Sequence, residues 1–350
     1  MPAISAPATV AVTGANGFVA SHIVRALLEA GFTVRACVRD PSNDSKVAHL
    51  KALPGADDRL SLHASDLMKV GSYDEAFDGC DAVVHAAAVV DIAAKASEAE
   101  AKVVQPSLEG TRNVLASVSG AKSVKRVVHT SSIAAIMRAD APETHVFTEE
   151  DWNTYGNVNN GDAYGYAKQV AEKYAREQAA AGDVTWDYVS INPHVILGPV
   201  LCKEHTKSSA ALIRQMIYGN PTNNYNAKFV DVRDVAAAHV EALRREEAAG
   251  QRFLIINDSP CMNTMDLIPI VQERVPYRMD STAAHGSITA WLAYKCGMVS
   301  EYAYFMFTKK LEFKNDRSKE VLGMQYRPLA DTLEDCAKSM VDGGYIKPRT

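Results

Sequence analysis

The 350-residue chain contains no charge-free apolar run of about 18 residues, the length a membrane-crossing helix requires. Met1 to Thr9 lacks the basic start and apolar centre of a signal peptide. Neither sign of charge dominates: 37 Lys and Arg stand against 42 Asp and Glu, a net −5 with the signs interspersed, so no broad basic surface marks a nucleic-acid binder. The six cysteines (Cys37, Cys80, Cys202, Cys261, Cys296, Cys336) are widely separated and form no C-x-x-C, and the ten histidines show no metal-ligand spacing. Reduced thiols are therefore expected rather than disulfides or a metal site. Together these absences predict a soluble, cytoplasmic protein with no transmembrane segment, no nucleic-acid partner and no metal.

What is present suits an ordinary folded protein. Apolar residues make up 47% and charged residues 23%, near the globular average, which excludes disordered and low-complexity classes. At about 100 to 200 residues per domain, the length suits one large domain or two intimately joined ones. Val-, Ile- and Ala-rich runs at Thr9–Thr13, Thr33–Val38, Leu60–Ala64, Ala82–Ala88, Val124–Thr130 and Trp186–Ile191 alternate with helical patterns at Phe18–Ala30, Ser45–Leu53, Glu98–Val118 and Ala163–Ala180. Strands alternating with helices predict an α/β fold, a doubly wound parallel sheet of Rossmann type. A strand and helix return at Phe229 to Arg244, and a last strand at Arg252 to Ile256. The expected division is a dinucleotide-binding domain of residues 1–193 plus about 227–257. A smaller, discontinuous substrate-binding domain would comprise about 194–226 plus 258–350.

Thr13-Gly14-Ala15-Asn16-Gly17-Phe18-Val19-Ala20 closes the first strand and opens the first helix. In that context Gly14 permits a tight turn, Gly17 lets backbone approach a pyrophosphate, and the helix start presents unpaired N–H groups to the anion. Ala20 replaces the third glycine and still allows close packing. Cofactor choice is set at the end of the second strand, where Arg39, with Lys46 beyond it, suits a 2′-phosphate. NADPH is expected over NADH, with Asp40 as the counter-argument because a carboxylate can bond a ribose. Asp66, after the third strand, either reaches the adenine or caps a turn.

Tyr164 and Lys168 are four apart at the start of a predicted helix, so they share a face. A nearby ammonium favours the phenolate of a tyrosine whose ordinary pKa is about 10. Alone, such a pair is common by chance and is usually just a solvated helix face. Thr130-Ser131-Ser132 adds weight, because it ends the fifth strand at the carboxyl edge where such sheets bind ligands.

These motifs, with Gly110-Thr111-Arg112-Asn113, Asn192-Pro193 to Gly198-Pro199 and Phe229-Val230-Asp231-Val232-Arg233-Asp234, resemble the extended short-chain dehydrogenase/reductases. The similarity is to the dihydroflavonol-reductase and cinnamoyl-CoA-reductase branch and to fungal NADPH-dependent aldehyde and methylglyoxal reductases. It implies that Ser132 orients a carbonyl, Tyr164 is the general acid, and Lys168 lowers its pKa and binds the nicotinamide ribose. It also implies that Gly14, Asn16, Gly17, Phe18, Val19, Arg39, Lys46, Asp66, Leu67, Ala86, Pro193 and Val195 line the cofactor, with Asn113 in support. Candidate substrate contacts are Val89, Val90, His194 and Tyr225. The expected partner is a small-molecule carbonyl substrate, reduced by NADPH in a monomer or homodimer.

The segment Gly286 to Phe307, rich in aromatics and Met, resembles the apolar insertion of 3β-hydroxysteroid dehydrogenases. Core helix, pocket lid and membrane-touching element all fit its composition. A sterol or steroid dehydrogenase is thus the second reading. A sugar-nucleotide epimerase or dehydratase is the third, with Lys203, Lys207 and Arg214 available to a diphosphate. A non-catalytic dinucleotide sensor would keep the glycine loop but need no Ser-Tyr-Lys set.

Overall fold

The computed structural model describes residues 3–88, 96–283 and 287–349. Its strands are β1 (Thr9–Thr13), β2 (Thr33–Val38), β3 (Leu60–Ala64), β4 (Ala82–His85), β5 (Arg126–Thr130), β6 (Val146–Phe147), β7 (Asp187–Pro193), β8 (Val195–Leu197), β9 (Asn226–Ala227), β10 (Phe229–Asp231), β11 (Arg252–Ile255), β12 (Met262–Asn263) and β13 (Glu312–Phe313). Seven of them form one parallel sheet in the order β11-β7-β5-β4-β1-β2-β3. The direction of winding reverses between β1 and β4, and that crevice is where a doubly wound sheet binds its ligand.

The strand sequences explain the burial. Val10 and Val12 point to one face with Val34, Ala36, Val84, Val128 and Ile191, beneath the helices Phe18–Glu29 and Val232–Arg244. Ala11, Cys37, Val83, Val127 and Tyr188 point to the other, against Phe77, Val114 and Val118. Because both faces are covered, the strands read as nearly continuous apolar runs.

A second core joins Leu197, Ile213, Met216, Phe229, Leu267, Val271, Leu333 and Met340, drawn from segments on both sides of β11. There β10 pairs with β8 and not with the main sheet. The helical pattern from Glu98 to Val118 is three pieces: Ala96–Ala99, a π-helical turn Glu100–Val104, and Gln105–Gly120. Pro106 lies at the start of the third piece, where a missing N–H is tolerated. No helix among the described residues is long and apolar enough to cross a membrane.

Candidate active site

At the crevice, Gly14 has φ +63°, and a Cβ on it would stand 3.0 Å from the Cα of Ala87. Both the backbone angle and the close approach therefore require glycine. A Cβ at Gly17 would crowd the Gly14 carbonyl at 3.2 Å. Gly17 also leads into the helix Phe18–Glu29, whose first turn has no side-chain cap, so its leading N–H groups are left for an anion. The cradle that a side chain would fill, beside an uncapped helix start, fits a dinucleotide pyrophosphate. Thr13 fixes the crevice: its Oγ1 accepts from the N–H of Ala86 (3.1 Å) and Ala87 (3.0 Å) and bonds His85 Nδ1 at 3.0 Å.

At the end of β2, Arg39 and Lys46 are both exposed. The Asp40 carboxylate is turned back on its own loop, where it accepts from the Ser42 N–H (3.0 Å) and hydroxyl (2.6 Å). Those bonds, the hydroxyl's foremost, hold its carboxyl below the usual range. Asp66 likewise accepts from the Met68 N–H at 2.9 Å, so it caps a turn while remaining exposed. Asn113 donates to the Leu67 carbonyl at 3.0 Å, and a Cβ at Gly110 would run into the Leu67 side chain at 2.6 Å. The two together set Leu67 against its helix. Pro193 ends β7, buried, and Val195 opens β8, half-buried.

The adjacent serines at the end of β5 differ sharply. Ser131 Oγ donates to Glu172 Oε2 at 2.5 Å. Ser132 Oγ accepts from the Ala134 N–H at 3.1 Å and so keeps its own proton available. Glu172, fully buried, also accepts from Ser190 Oγ (2.9 Å), Asn192 Nδ2 (2.8 Å) and Arg252 Nε (2.6 Å). Burial acts to raise its pKa, but the Arg252 charge and these donors outweigh it and hold the carboxyl below the usual range. Asn192 Nδ2 reaches the Ser132 carbonyl too, at 3.1 Å.

Tyr164 and Lys168 lie in the first turns of the helix Ala163–Ala180, with Nζ of Lys168 5.9 Å from the centre of the Tyr164 ring. Lys168, only 7% exposed, donates to the Thr130 carbonyl at 3.3 Å, which docks the helix on the end of β5. Asp162 caps that helix by accepting from the Gly165 N–H at 3.0 Å. Asn153 donates both to Asp162 (2.6 Å) and to the Ala134 carbonyl (3.0 Å), so one amide joins the tyrosine helix to the serine segment. A Cβ at Gly165 would strike Asn153 and Asp162 at 2.5 Å. Sequence reasoning passed over Asn153, Glu172 and Arg252, because a single polar residue far along the chain carries no local signal.

Behind Lys168 the sheet carries neutral histidines. Burial first, and then the Lys168 charge, depresses His85 to about 3. His129 stacks on His85 at 4.8 Å and is likewise lowered, chiefly by burial. Two uncharged rings beside an ammonium add no repulsion to it.

On the substrate side, Val89, Val90 and Gly286 lie outside the described residues. His194 is buried, with Nδ1 accepting from the Val195 N–H (2.9 Å) and its ring edge-on to Phe313. Tyr225 is half-buried, its phenol pushed up to about 12 by burial. The apolar segment forms two packed helices, Ser287–Lys295 and Glu301–Thr308, with Tyr294 stacked on Tyr304 at 4.9 Å. Ala290, Ala293 and Phe305 face inward, whereas Trp291 (47%), Leu292 (48%) and Met298 (72%) are exposed, so the core-helix reading holds for one face only. Glu301 accepts from the Tyr155 hydroxyl at 2.9 Å and the Tyr302 N–H donates to the Asn160 carbonyl at 3.3 Å, which ties this pair to the loop preceding Tyr164.

His49, Cys202 and His205 come together although about 150 residues separate the first from the others, a juxtaposition no local spacing encodes.

Residues 10–256 match the model of the NAD dependent epimerase/dehydratase family. A cinnamoyl-CoA reductase of Medicago truncatula is 34% identical over 335 residues, covering 95% of this chain and 95% of that protein. A dihydroflavonol 4-reductase of Callistephus chinensis is 34% identical over 253 residues, 70% of this chain and 68% of that protein. Among solved structures, yeast methylglyoxal/isovaleraldehyde reductase Gre2 complexed with NADPH aligns with a TM-score of 0.79 at 26% identity, covering 97% of this chain and all of that one. With the glycine crevice at the β1–β4 switch and Lys168 docked on β5, this chain belongs to the NAD dependent epimerase/dehydratase family, the extended short-chain dehydrogenase/reductases.

Proposed function

We propose that this protein reduces an aldehyde or ketone to the alcohol with NADPH. The observation that carries the reading is the hydrogen bond from Lys168 to the Thr130 carbonyl, which docks the helix bearing Tyr164 on the strand whose end presents Ser132. The cofactor, when bound, supplies a hydride to the carbonyl carbon. Ser132 donates a hydrogen bond to the carbonyl oxygen, and Tyr164 gives that oxygen its proton as charge develops there. Lys168, beside the Tyr164 ring, binds the nicotinamide ribose. Gly14, Asn16, Gly17, Phe18 and Val19 receive the pyrophosphate, Asp66, Leu67, Ala86, Pro193 and Val195 line the rest, and Arg39 with Lys46 takes the 2′-phosphate. The Asp40 carboxylate, engaged by Ser42, supports NADPH over NADH. The relatives named reductases of cinnamoyl-CoA, dihydroflavonol and methylglyoxal support a carbonyl substrate. We assign substrate binding to segments 194–226 and 258–350, with Tyr225 facing the substrate.

The test is NADPH consumption across aromatic aldehydes, α-dicarbonyls, flavanonols and 3-ketosteroids, with NADH in parallel. Turnover of one carbonyl class with NADPH preferred is expected. Tight NADPH binding with every carbonyl inert would move the assignment to hydroxysteroid oxidation, which the exposed Trp291, Leu292 and Met298 favour as the second reading.

A further inference from the structure

His49 stands on the helix Asp44–Lys51, one turn beyond Lys46. Cys202 and His205 stand at the turn Lys203–Lys207, and His205 is buried. One ligand atom from each of the three lies within 4.8 Å of the others. The hydrogen bonds fix the state of His49. Ser21 Oγ gives its proton to the Ala15 carbonyl at 3.0 Å, so at 2.9 Å it must accept from His49 Nε2–H. Nδ1 of His49 is then a bare lone pair, and it is buried with no hydrogen-bond partner. Buried acceptors without partners are uncommon and call for an occupant.

We propose that His49, Cys202 and His205 bind one zinc-class cation. Two imidazoles and a thiolate are the donors such ions prefer, and the fourth position stays open to water or to the exposed Glu204. Zn–N and Zn–S bonds of about 2.0 to 2.3 Å require the donor atoms to draw in to roughly 3.5 Å, a movement of about one ångström that the half-buried His49 and Cys202 can make. Binding releases the Cys202 thiol proton to solvent and leaves both imidazoles neutral.

The site adjoins the glycine loop. His205 Nε2 bonds the Asn16 carbonyl at 3.2 Å, and its Nδ1 accepts from the Leu201 N–H at 3.3 Å, both long. Turning the ring toward a metal disturbs its hold on Asn16, so occupancy weakens cofactor binding. This consequence rests on the assignment of Asn16 to the cofactor.

Full-length, chelator-stripped protein kept reduced is titrated with Zn²⁺ against a chromophoric chelator, without NADPH. One zinc per chain is expected. Cys202→Ser and His49→Gln should each weaken it at least about tenfold, while Cys296→Ser at the exposed thiol leaves it unchanged. Co²⁺ should give a thiolate charge-transfer band that Cys202→Ser abolishes. No stoichiometric zinc, or a band that survives Cys202→Ser, would overturn the site. NADPH is then titrated with and without Zn²⁺, and an affinity loss of about fivefold or more is expected in the parent and none in Cys202→Ser. Equal affinities with zinc bound would overturn the coupling. Absence of NADPH binding in metal-free buffer would count against the reductase reading alone.

Discussion

Ser131 and Ser132 are neighbours with the same side chain, and their partners give them different work. Ser131 spends its proton on Glu172 at 2.5 Å, while Ser132 accepts from the Ala134 N–H and retains its own. Ser132→Ala should therefore lower kcat by about 10² to 10³, the usual cost of removing a donor to a developing oxyanion. Ser131→Ala should change kcat only a few-fold while costing about 1 to 3 kcal/mol of stability, because a buried carboxylate loses a donor. Steady-state rates and denaturant unfolding of the two variants, measured together, separate these effects, and a reversed pattern would exchange the roles. The sequence places both serines at the strand end, where only the family resemblance favours Ser132; the partner that engages Ser131, Glu172, stands 41 residues away. Asp40 is similar: its carboxylate is visible in the sequence, and its engagement by Ser42 is visible only in the loop geometry.

At the scale of elements, the reactive geometry depends on β5, β7, β11 and the helix Ala163–Ala180 holding one another. Arg252 on β11 bonds Glu172 on that helix at 2.6 Å and lies 3.7 Å over the Trp152 ring. The arginine also donates to the Glu149 (2.8 Å) and Asp151 (2.6 Å) carbonyls. Replacing Arg252 by Met leaves Glu172 buried without its counter-charge and should cost about 3 to 5 kcal/mol. A loss under 1 kcal/mol in urea unfolding would show that the pair is not a structural anchor. The seven sheet strands and the tyrosine helix were legible from period and composition, because burial on both faces writes itself into the residues. The π-turn before Pro106 and the pairing of β10, expected as a strand at Phe229, with the three-residue β8 were not, since such short ladders carry no periodicity.

Across the whole molecule, six histidines among the described residues are buried in the neutral state. Burial lowers His22, His205 and His239 to about 4 and His85 and His194 to about 3, and depresses His129 as well. In the unfolded chain these rings protonate near 6.5, so their contribution is complete above that pH and is lost as pH falls toward 4. Each withdraws about 1.4 kcal/mol per pH unit in that window. Asp162, raised to about 7 by burial, acts in the opposite sense between about 4 and 7, as do Glu149 and Asp234, which burial also raises, against the six histidines. The melting temperature should fall by about 10 °C between pH 7.5 and 5.5, above the range where most carboxylates titrate. A flat profile would contradict neutral burial.

In the proposed reaction Tyr164 is the proton donor beside an intact cofactor crevice. The most direct test sets kcat and the NADPH dissociation constant of Tyr164→Phe beside those of the parent, on the carbonyl the parent turns over fastest. Tyr164 is not among the residues assigned to the pyrophosphate, so kcat should drop by about 10² to 10⁴ with NADPH affinity unchanged. Turnover retained in Tyr164→Phe would contradict the mechanism, and NADPH affinity lost together with turnover would place Tyr164 in binding rather than in proton transfer.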